Sequence, residues 1–327
     1  MSTLREDLDE YLQMRRALGF QLDKLEHLAG EFIDWLAARG QTDTFTIADA
    51  VNWARLPVNA APVWWGMRLG AVRTFAAYQH ARDNAVPTIP ARLLPATSSR
   101  AEPYIYTQHD LDALLAACPR AFRHGFQADT MSAIVGLLAA TGMRIGEALR
   151  LNVPDITADT QPDGQPGGGL LLVRASKHGA DRLLPVDAST ITALNTYRDL
   201  PARRHARPEP AGPLFVTRNG TGYQRSTIEL YFQRLTRAAG LQPRGRATPT
   251  LHSLRHSFAT LHIAAAYHGG TDPQRTLTLL ATWLGHTSPA HTYWYISASS
   301  ELMALAAARL ATRPRPGDRP SGQGTLR

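Results

Sequence analysis

The sequence predicts a mainly α-helical chain with one small β-sheet, split into an all-helical N-terminal part and a larger mixed α/β part. Three observations predict this. Apolar residues recur at helical spacing through most of the chain, beginning with Leu4, Leu8 and Leu12. Two short β-type runs, Leu170 to Ala175 and Arg182 to Val186, flank the polar turn Ser176 to Asp181. Between the parts lies NAVPTIPARLLPATSSRAEP, residues 84–103, whose four prolines suit a linker.

In chain order, Leu25, Leu28, Phe32 and Leu36 continue the helical pattern, and Gly19 and Gly40 mark helix ends. Thr46-Ile-Ala-Asp49 predicts a capping box, with Asp in the Glu position, opening a helix through Trp53. A further helix runs from Pro62 to about Arg82, with Leu69, Val72, Phe75 and Ala76 on one face. These elements make a domain of residues 1–93, followed by a linker at 94–103 and a second domain at 104–310.

In the second domain, Thr107-Gln-His-Asp110 caps a helix containing Leu111, Leu114 and Leu115. The apolar run Thr130 to Ala140 predicts a buried helix that ends at Thr141-Gly142, with a new helix starting at Met143-Arg144-Ile-Gly-Glu147. Asp159 to Gly169 reads as a Gly/Pro-rich loop before the two strands. Ile191 to Tyr197 is helical, and Pro201 to Pro213 reads as a loop whose Arg203, Arg204 and Arg207 are phosphate-contacting or merely solvated. Ser226 is expected to cap a helix ending at Gly240. Gln274 to Leu284 forms a helix with Leu277, Leu280 and Trp283 in the core, and Gly285 ends it and presents His286. Ser299 to Leu310 predicts a last amphipathic helix, and residues 311–327 read as a disordered basic tail.

A chain of 327 residues holds about two domains of ordinary size. The net charge of +8 and pI near 10 favour a polyanionic partner, nucleic acid first. Residues 1–50 are net −5, so an anion-binding surface is expected downstream of them. Arg68, Arg73 and Arg82 are the cations of the first domain to aim at DNA phosphates, although each reads equally well as solvated helix surface. A single cysteine, Cys118, excludes an intramolecular disulfide and a cysteine zinc site. Acidic and basic residues from Arg5 to Glu10 leave no leader-type apolar run, and the longest uncharged apolar stretch, Thr130 to Met143, is too short to span a bilayer. No membrane partner and a cytoplasmic location are therefore expected. Only Lys24 and Lys177 stand against 33 arginines, so a lysine that survives this bias suggests a task that arginine cannot serve.

The chemistry concentrates in residues 249–295. His252-Ser-Leu-Arg255-His256 opens a helical run, and Leu284-Gly285-His286 is followed nine residues later by Tyr295. Attack on a phosphodiester adds negative charge to its non-bridging oxygens, so cleavage without metal needs fixed cations, donors and a nucleophile in one pocket. Arg255 offers a fork that fits two phosphate oxygens. His252 and His286 can donate hydrogen bonds or move protons near neutral pH. His252 and His256 also form a His-x-x-x-His pair, but no Glu follows the first His and no Cys is at hand, so no metal is expected. His256 and His262 read as packing or helix-surface residues. Tyr293 and Tyr295 compete for the nucleophile; on a helix they point about 200° apart and cannot serve one pocket equally.

Arg144, Lys177, His252, Arg255, His286 and Tyr295, in this order over residues 104–310, resemble the motif set of the tyrosine recombinase (phage integrase) family. The order and sizes of the N-terminal helices are similar to the family's small core-binding (SAM-like) domain, without a specific motif. The resemblance implies that Arg144, with Glu147 orienting its neighbours, holds the scissile phosphate; the bland alternative is a salt-bridged surface turn. It implies that Lys177, on a hairpin, protonates the leaving 5′ oxygen, where a solvated turn lysine is the alternative. The family's tyrosine lies nine residues after the histidine with Thr three before it, and Thr292 and His286 thereby select Tyr295. Arg255 and His286 would share the developing charge with Arg144, and His252 would assist proton transfer.

The implied activity is site-specific DNA recombination through a 3′-phosphotyrosyl intermediate, without ATP, metal or other cofactor. The implied partners are double-stranded DNA, further copies of the chain in a tetramer on two duplexes, and other recombinases or accessory proteins. The C-terminal helix would dock on a neighbouring protomer or on its own domain. Two alternatives stay open: a type IB topoisomerase, and a catalytically silent or partner-dependent DNA-binding paralogue.

Overall fold

The computed structural model describes residues 3–94, 102–160, 166–174, 181–269, 271–286, 292–293, 295 and 300–311. The chain folds into two compact units, Met1–Ala101 and Glu102–Arg327.

The first unit holds α1 (Leu4–Ala17), α2 (Asp23–Ala37), α3 (Ile47–Arg55) and α4 (Pro62–Arg82). Thr3 and Thr46 close capping boxes with Glu6 and Asp49, which satisfies N-terminal N–H groups that no helical carbonyl can reach. Gly19 and Gly40, at φ +82° and +75°, take the left-handed conformation just after α1 and α2. Phe32, Trp53 and Phe75 are buried at the centre; the Phe32 ring lies 5.3 Å from Trp53 and 5.1 Å from Phe45. Ile89, inside the proline-rich stretch, is also buried in this core, so the chain stays attached to the first unit beyond α4. Residues 95–101 of the expected linker lie outside the described residues.

The second unit is built around α6 (Gly125–Thr141), whose Met131, Ile134, Val135 and Leu138 are buried. Around it pack α5 (Gln108–Ala121), α8 (Ala188–Arg198), α10 (Arg225–Ala238) and α11 (Leu251–His268). α6 ends at Gly142, with φ +62°, and the four-residue α7 (Ile145–Ala148) follows. The sheet is antiparallel in the order β1 (Ile156–Thr160), β2 (Pro166–Val173), β3 (Arg182–Val186), with Leu171 opposite Ile156 on one side and Leu184 on the other. α9 (Pro201–His205) is a short turn of helix, and α12 (Pro273–Leu284) and α13 (Ser300–Ala311) complete the unit. α13 packs on α11 of its own chain, with Leu302 buried. None of the described helices is long and apolar enough to cross a membrane.

Three expectations need correction. The stretch from Asp159 to Gly169 is not simply a loop, because β1 ends in it and β2 begins in it. A Cβ on Gly169 would lie 2.3 Å from the Thr157 carbonyl oxygen, so glycine here permits close strand approach rather than marking irregular chain. Ser226 is not a cap; Gln224 occupies that position without a side-chain bond, and Ser226 lies inside α10. Arg203 is neither solvated nor free for phosphate. It is buried, and its Nε and Nη2 donate to the carbonyls of Leu214 and Pro213, each at 3.0 Å.

Candidate active site

Arg255 lies at the centre of the site, 1% exposed, on the second turn of α11. Thr250 starts that helix by accepting from the Ser253 N–H, which sets His252 and Arg255 on its first turns. The Arg255 Nη1 donates to the Gly142 carbonyl at 3.0 Å and Nη2 to the Leu284 carbonyl at 2.7 Å. Both acceptors end a helix at a left-handed glycine turn, so one guanidinium ties the end of α6 to the end of α12. Tyr295 acts on its charge from nearby, which favours the protonated guanidinium. Burial first, then repulsion from Arg144, lowers its pKa to about 10, which leaves it cationic at neutral pH.

Arg144 follows the Gly142 turn and precedes α7. Its backbone N–H donates to Glu147 Oε2 at 2.9 Å and its Nη1 to Oε1 at 3.0 Å, while the side chain stays 39% exposed. Glu147 is buried. Burial alone would raise its carboxyl pKa, but hydrogen bonds from Arg182 and the Arg144 N–H, with the charges of both arginines, hold it below the ordinary value.

His252 is exposed on the wall of an open groove of about 840 Å³ that Arg144, Arg150, Arg225 and Thr250 also line. Although its surface meets solvent, protein atoms surround the ring in this concave wall. That partial burial leads, and repulsion from Arg255, Arg144 and Arg225 adds to it, in lowering the pKa from 6.5. The ring is neutral at pH 7.

α12 ends at Gly285, φ +64°, with the Gly285 N–H donating to Thr282 and the His286 N–H to Ala281 at 2.9 Å. This left-handed close turns the chain back and delivers His286 to the site. The His286 Nδ1 lies 2.8 Å from Thr292 Oγ1. Tyr295 is buried, its ring centroid 6.0 Å from that of His286 and 5.3 Å from that of His256. Tyr293 is 43% exposed and its hydroxyl pairs with Gln274 on α12 at 2.7 Å. The two tyrosines thus point apart, and Tyr295 is the one turned to Arg255.

The structure therefore brings Arg144, His252, Arg255, His286 and Tyr295 together. Lys177 lies outside the described residues. Two residues were not read as site residues from the sequence. His256, taken as packing or surface, sits edge-on between His252, at 4.5 Å, and Tyr295. Arg182, read as the start of a strand, clamps Glu147 at 2.8 and 3.3 Å. The lone charged residue at the head of an apolar strand was the signal for it.

The first-unit arginines divide differently. Arg68 is buried with its guanidinium 3.7 Å from the Trp53 ring centroid and 3.2 Å from Glu31, so it is internal rather than aimed at a phosphate. Arg82 is paired with Glu10 at 2.5 Å and lies 3.6 Å from Asp7, which answers its charge from within the unit. Arg73 is half-buried and has no ion pair among the described residues.

Residues 105–301 match the phage integrase family. The protein y4rB of Sinorhizobium fredii (strain NBRC 101917 / NGR234), named as an integrase/recombinase, is 37% identical over 321 residues, 96% of this chain and 98% of its own. The tyrosine recombinase XerC of Roseiflexus sp. (strain RS-1) is 32% identical over 236 residues, 70% of this chain and 66% of its own. Among solved structures, lambda integrase (75–356), a dimer bound to a COC′ core site, superposes with a TM-score of 0.60 at 17% identity, covering 91% of this chain and 97% of that one, which shows a shared fold. The chain belongs to the phage integrase family of tyrosine recombinases, enzymes of site-specific DNA recombination that cleave and rejoin DNA.

Proposed function

We propose that Tyr295 is the nucleophile of this recombinase and that Arg144, Arg255 and His286 hold the phosphate it attacks. The observation that carries this is that Tyr295 is buried and acts on the charge of Arg255, a guanidinium fixed by two helix-end carbonyls, whereas Tyr293 is exposed and pairs with Gln274. In this reading the Tyr295 oxygen bonds to phosphorus while the phosphorus–O5′ bond breaks, leaving a 3′-phosphotyrosyl link and a 5′ hydroxyl. The phosphotyrosyl ester conserves the bond, so a 5′ hydroxyl of another duplex can displace Tyr295 without ATP. Arg144 and Arg255 oppose the charge gathering on the non-bridging oxygens. His252, neutral at pH 7, accepts the tyrosine proton directly or through water, and Lys177 protonates the leaving oxygen.

The first unit is then the core-binding domain. With Arg68 internal, Arg73 is its remaining phosphate candidate of the three. Two duplexes and four copies of the chain, exchanging strands through a four-way junction, are the assembly this chemistry calls for. Integration, excision or transposition would all run on the same site.

Covalent trapping tests the reading. The purified protein is incubated with nicked duplexes covering the DNA that flanks its gene, and denaturant-resistant adducts are mapped by mass spectrometry. A phosphotyrosyl at Tyr295, absent in Tyr295→Phe, is the expected result. An adduct at Tyr293 overturns the assignment of the nucleophile. Specific binding without an adduct points to a silent or partner-dependent protein. Strong relaxation of a plasmid without a target site points to topoisomerase activity.

A further inference from the structure

Arg182 opens β3, and its guanidinium joins three segments that the site needs together. Its Nη2 and Nη1 donate to the Glu147 carboxylate at 2.8 and 3.3 Å, and its Nε donates to the Trp283 carbonyl at 2.8 Å. The Arg182 side chain is 15% exposed and that of Glu147 3%. A Cβ placed on Gly285 would come within 2.9 Å of Arg182 Nη1, so the turn that delivers His286 rests on this guanidinium. Glu147 in turn receives both the backbone N–H and the Nη1 of Arg144.

Burying a guanidinium and a carboxylate has a large desolvation cost, and well-packed apolar side chains stabilise such a position at least as well. What an apolar pair cannot do is fix direction. The planar fork sets the Glu147 carboxylate and the α12 terminus at defined angles to one another.

We infer that Arg182 is a positioning residue for DNA cleavage, holding Arg144 through Glu147 and the His286 turn through Trp283 and Gly285 in one frame. The inference rests on the reading above, in which Arg144 and His286 face the scissile phosphate. A displacement of either by about 1 Å is enough to cost about 100-fold in rate, because the phosphate must meet both at once. Lysine at this position would keep the charge but lose the fork.

The test compares wild type, Arg182→Gln, Arg182→Lys, Glu147→Gln and the double variant Arg182→Gln/Glu147→Gln in single-turnover cleavage of a nicked duplex. Duplex binding and thermal melting are measured beside it. Arg182→Gln is expected to bind within about 3-fold of wild type while its cleavage rate falls about 100-fold, and lysine is expected to restore part of that loss. The double variant should be no slower than the slower single one, since both substitutions break the same frame. Cleavage by Arg182→Gln within about 3-fold of wild type overturns the inference, as do independent, additive losses in the double variant. Loss of binding, melting temperature and rate together, with no rescue by lysine, overturns it too, because Arg182 would then only hold the fold. An absent adduct from wild type sinks the functional reading and this inference with it, and is distinguished because no substitution is involved.

Discussion

The Nδ1 of His286 and the Oγ1 of Thr292 lie 2.8 Å apart, joining the turn after α12 to the segment that carries Tyr295. With Nδ1 held there, any proton His286 gives to a phosphate oxygen leaves from Nε2. Thr292 is 1% exposed, so water cannot take its place as the partner. Thr292→Val keeps the shape and removes the bond, whose net worth is about 1 kcal/mol. Cleavage of a nicked duplex should slow about 5- to 10-fold with duplex binding unchanged. A rate equal to wild type would show that His286 is oriented by something else.

Arg68 and Arg73 lie on one helix and should behave as opposites. Arg68 is buried between Trp53 and Glu31, so Arg68→Ala leaves Glu31 without its cation and Trp53 without its cover. Glu31 is 42% exposed, so the cost is mainly the lost packing of the guanidinium on Trp53, about 1–2 kcal/mol, visible as a lower melting temperature, with the salt dependence of DNA binding unaltered. Arg73→Ala should leave melting unchanged and lower the slope of log binding constant against log salt by about 1. An unchanged slope in Arg73→Ala removes it from the DNA-contacting set.

How much could be read from the sequence follows from how local each signal is. Helix spans and caps were legible because a capping box needs only the four residues from Thr46 to Asp49, and the terminators Gly142 and Gly285 act on their own turn. The fate of a charged side chain was not, because it is decided by residues far away in sequence. Arg68 meets Glu31, 37 residues earlier, and Arg182 meets Trp283, 101 residues later. Spacing could offer Arg68 as a phosphate contact but could not show the ring already lying over it. The β1 strand was missed for a related reason: its partner opens with Pro166 and three glycines, which carry no pattern until a neighbouring backbone is set against them.

The lowered pKa of His252 gives a proton-linkage prediction with a definite sign. Burial and three arginines disfavour the imidazolium, so folding prefers the neutral ring. Any stability this contributes is fully present above pH 6.5 and is lost as pH falls through the lower folded value. A DNA phosphate in the groove supplies the opposite charge and raises the pKa again. DNA binding near pH 6 should therefore take up protons, measured by calorimetry in buffers of different ionisation enthalpy. His252→Gln should abolish most of that uptake. If the uptake persists in His252→Gln, the titrating group is elsewhere.

Gly285 and Gly240 are both left-handed, at φ +64° and +71°, but only one of them touches the site. A Cβ on Gly240 would meet nothing within 4 Å, whereas on Gly285 it would meet the guanidinium of Arg182 at 2.9 Å. Alanine should cost about 1 kcal/mol of backbone strain at each position, and both variants should melt at a lower temperature. Gly285→Ala alone should also slow cleavage, by about 10-fold, because it pushes the His286 turn off Arg182. Gly240→Ala serves as the control for strain without contact. Equal cleavage rates in the two variants would mean that the turn after α12 can shift without moving His286 from its working position, and that the packing of Gly285 on Arg182 has no part in the reaction.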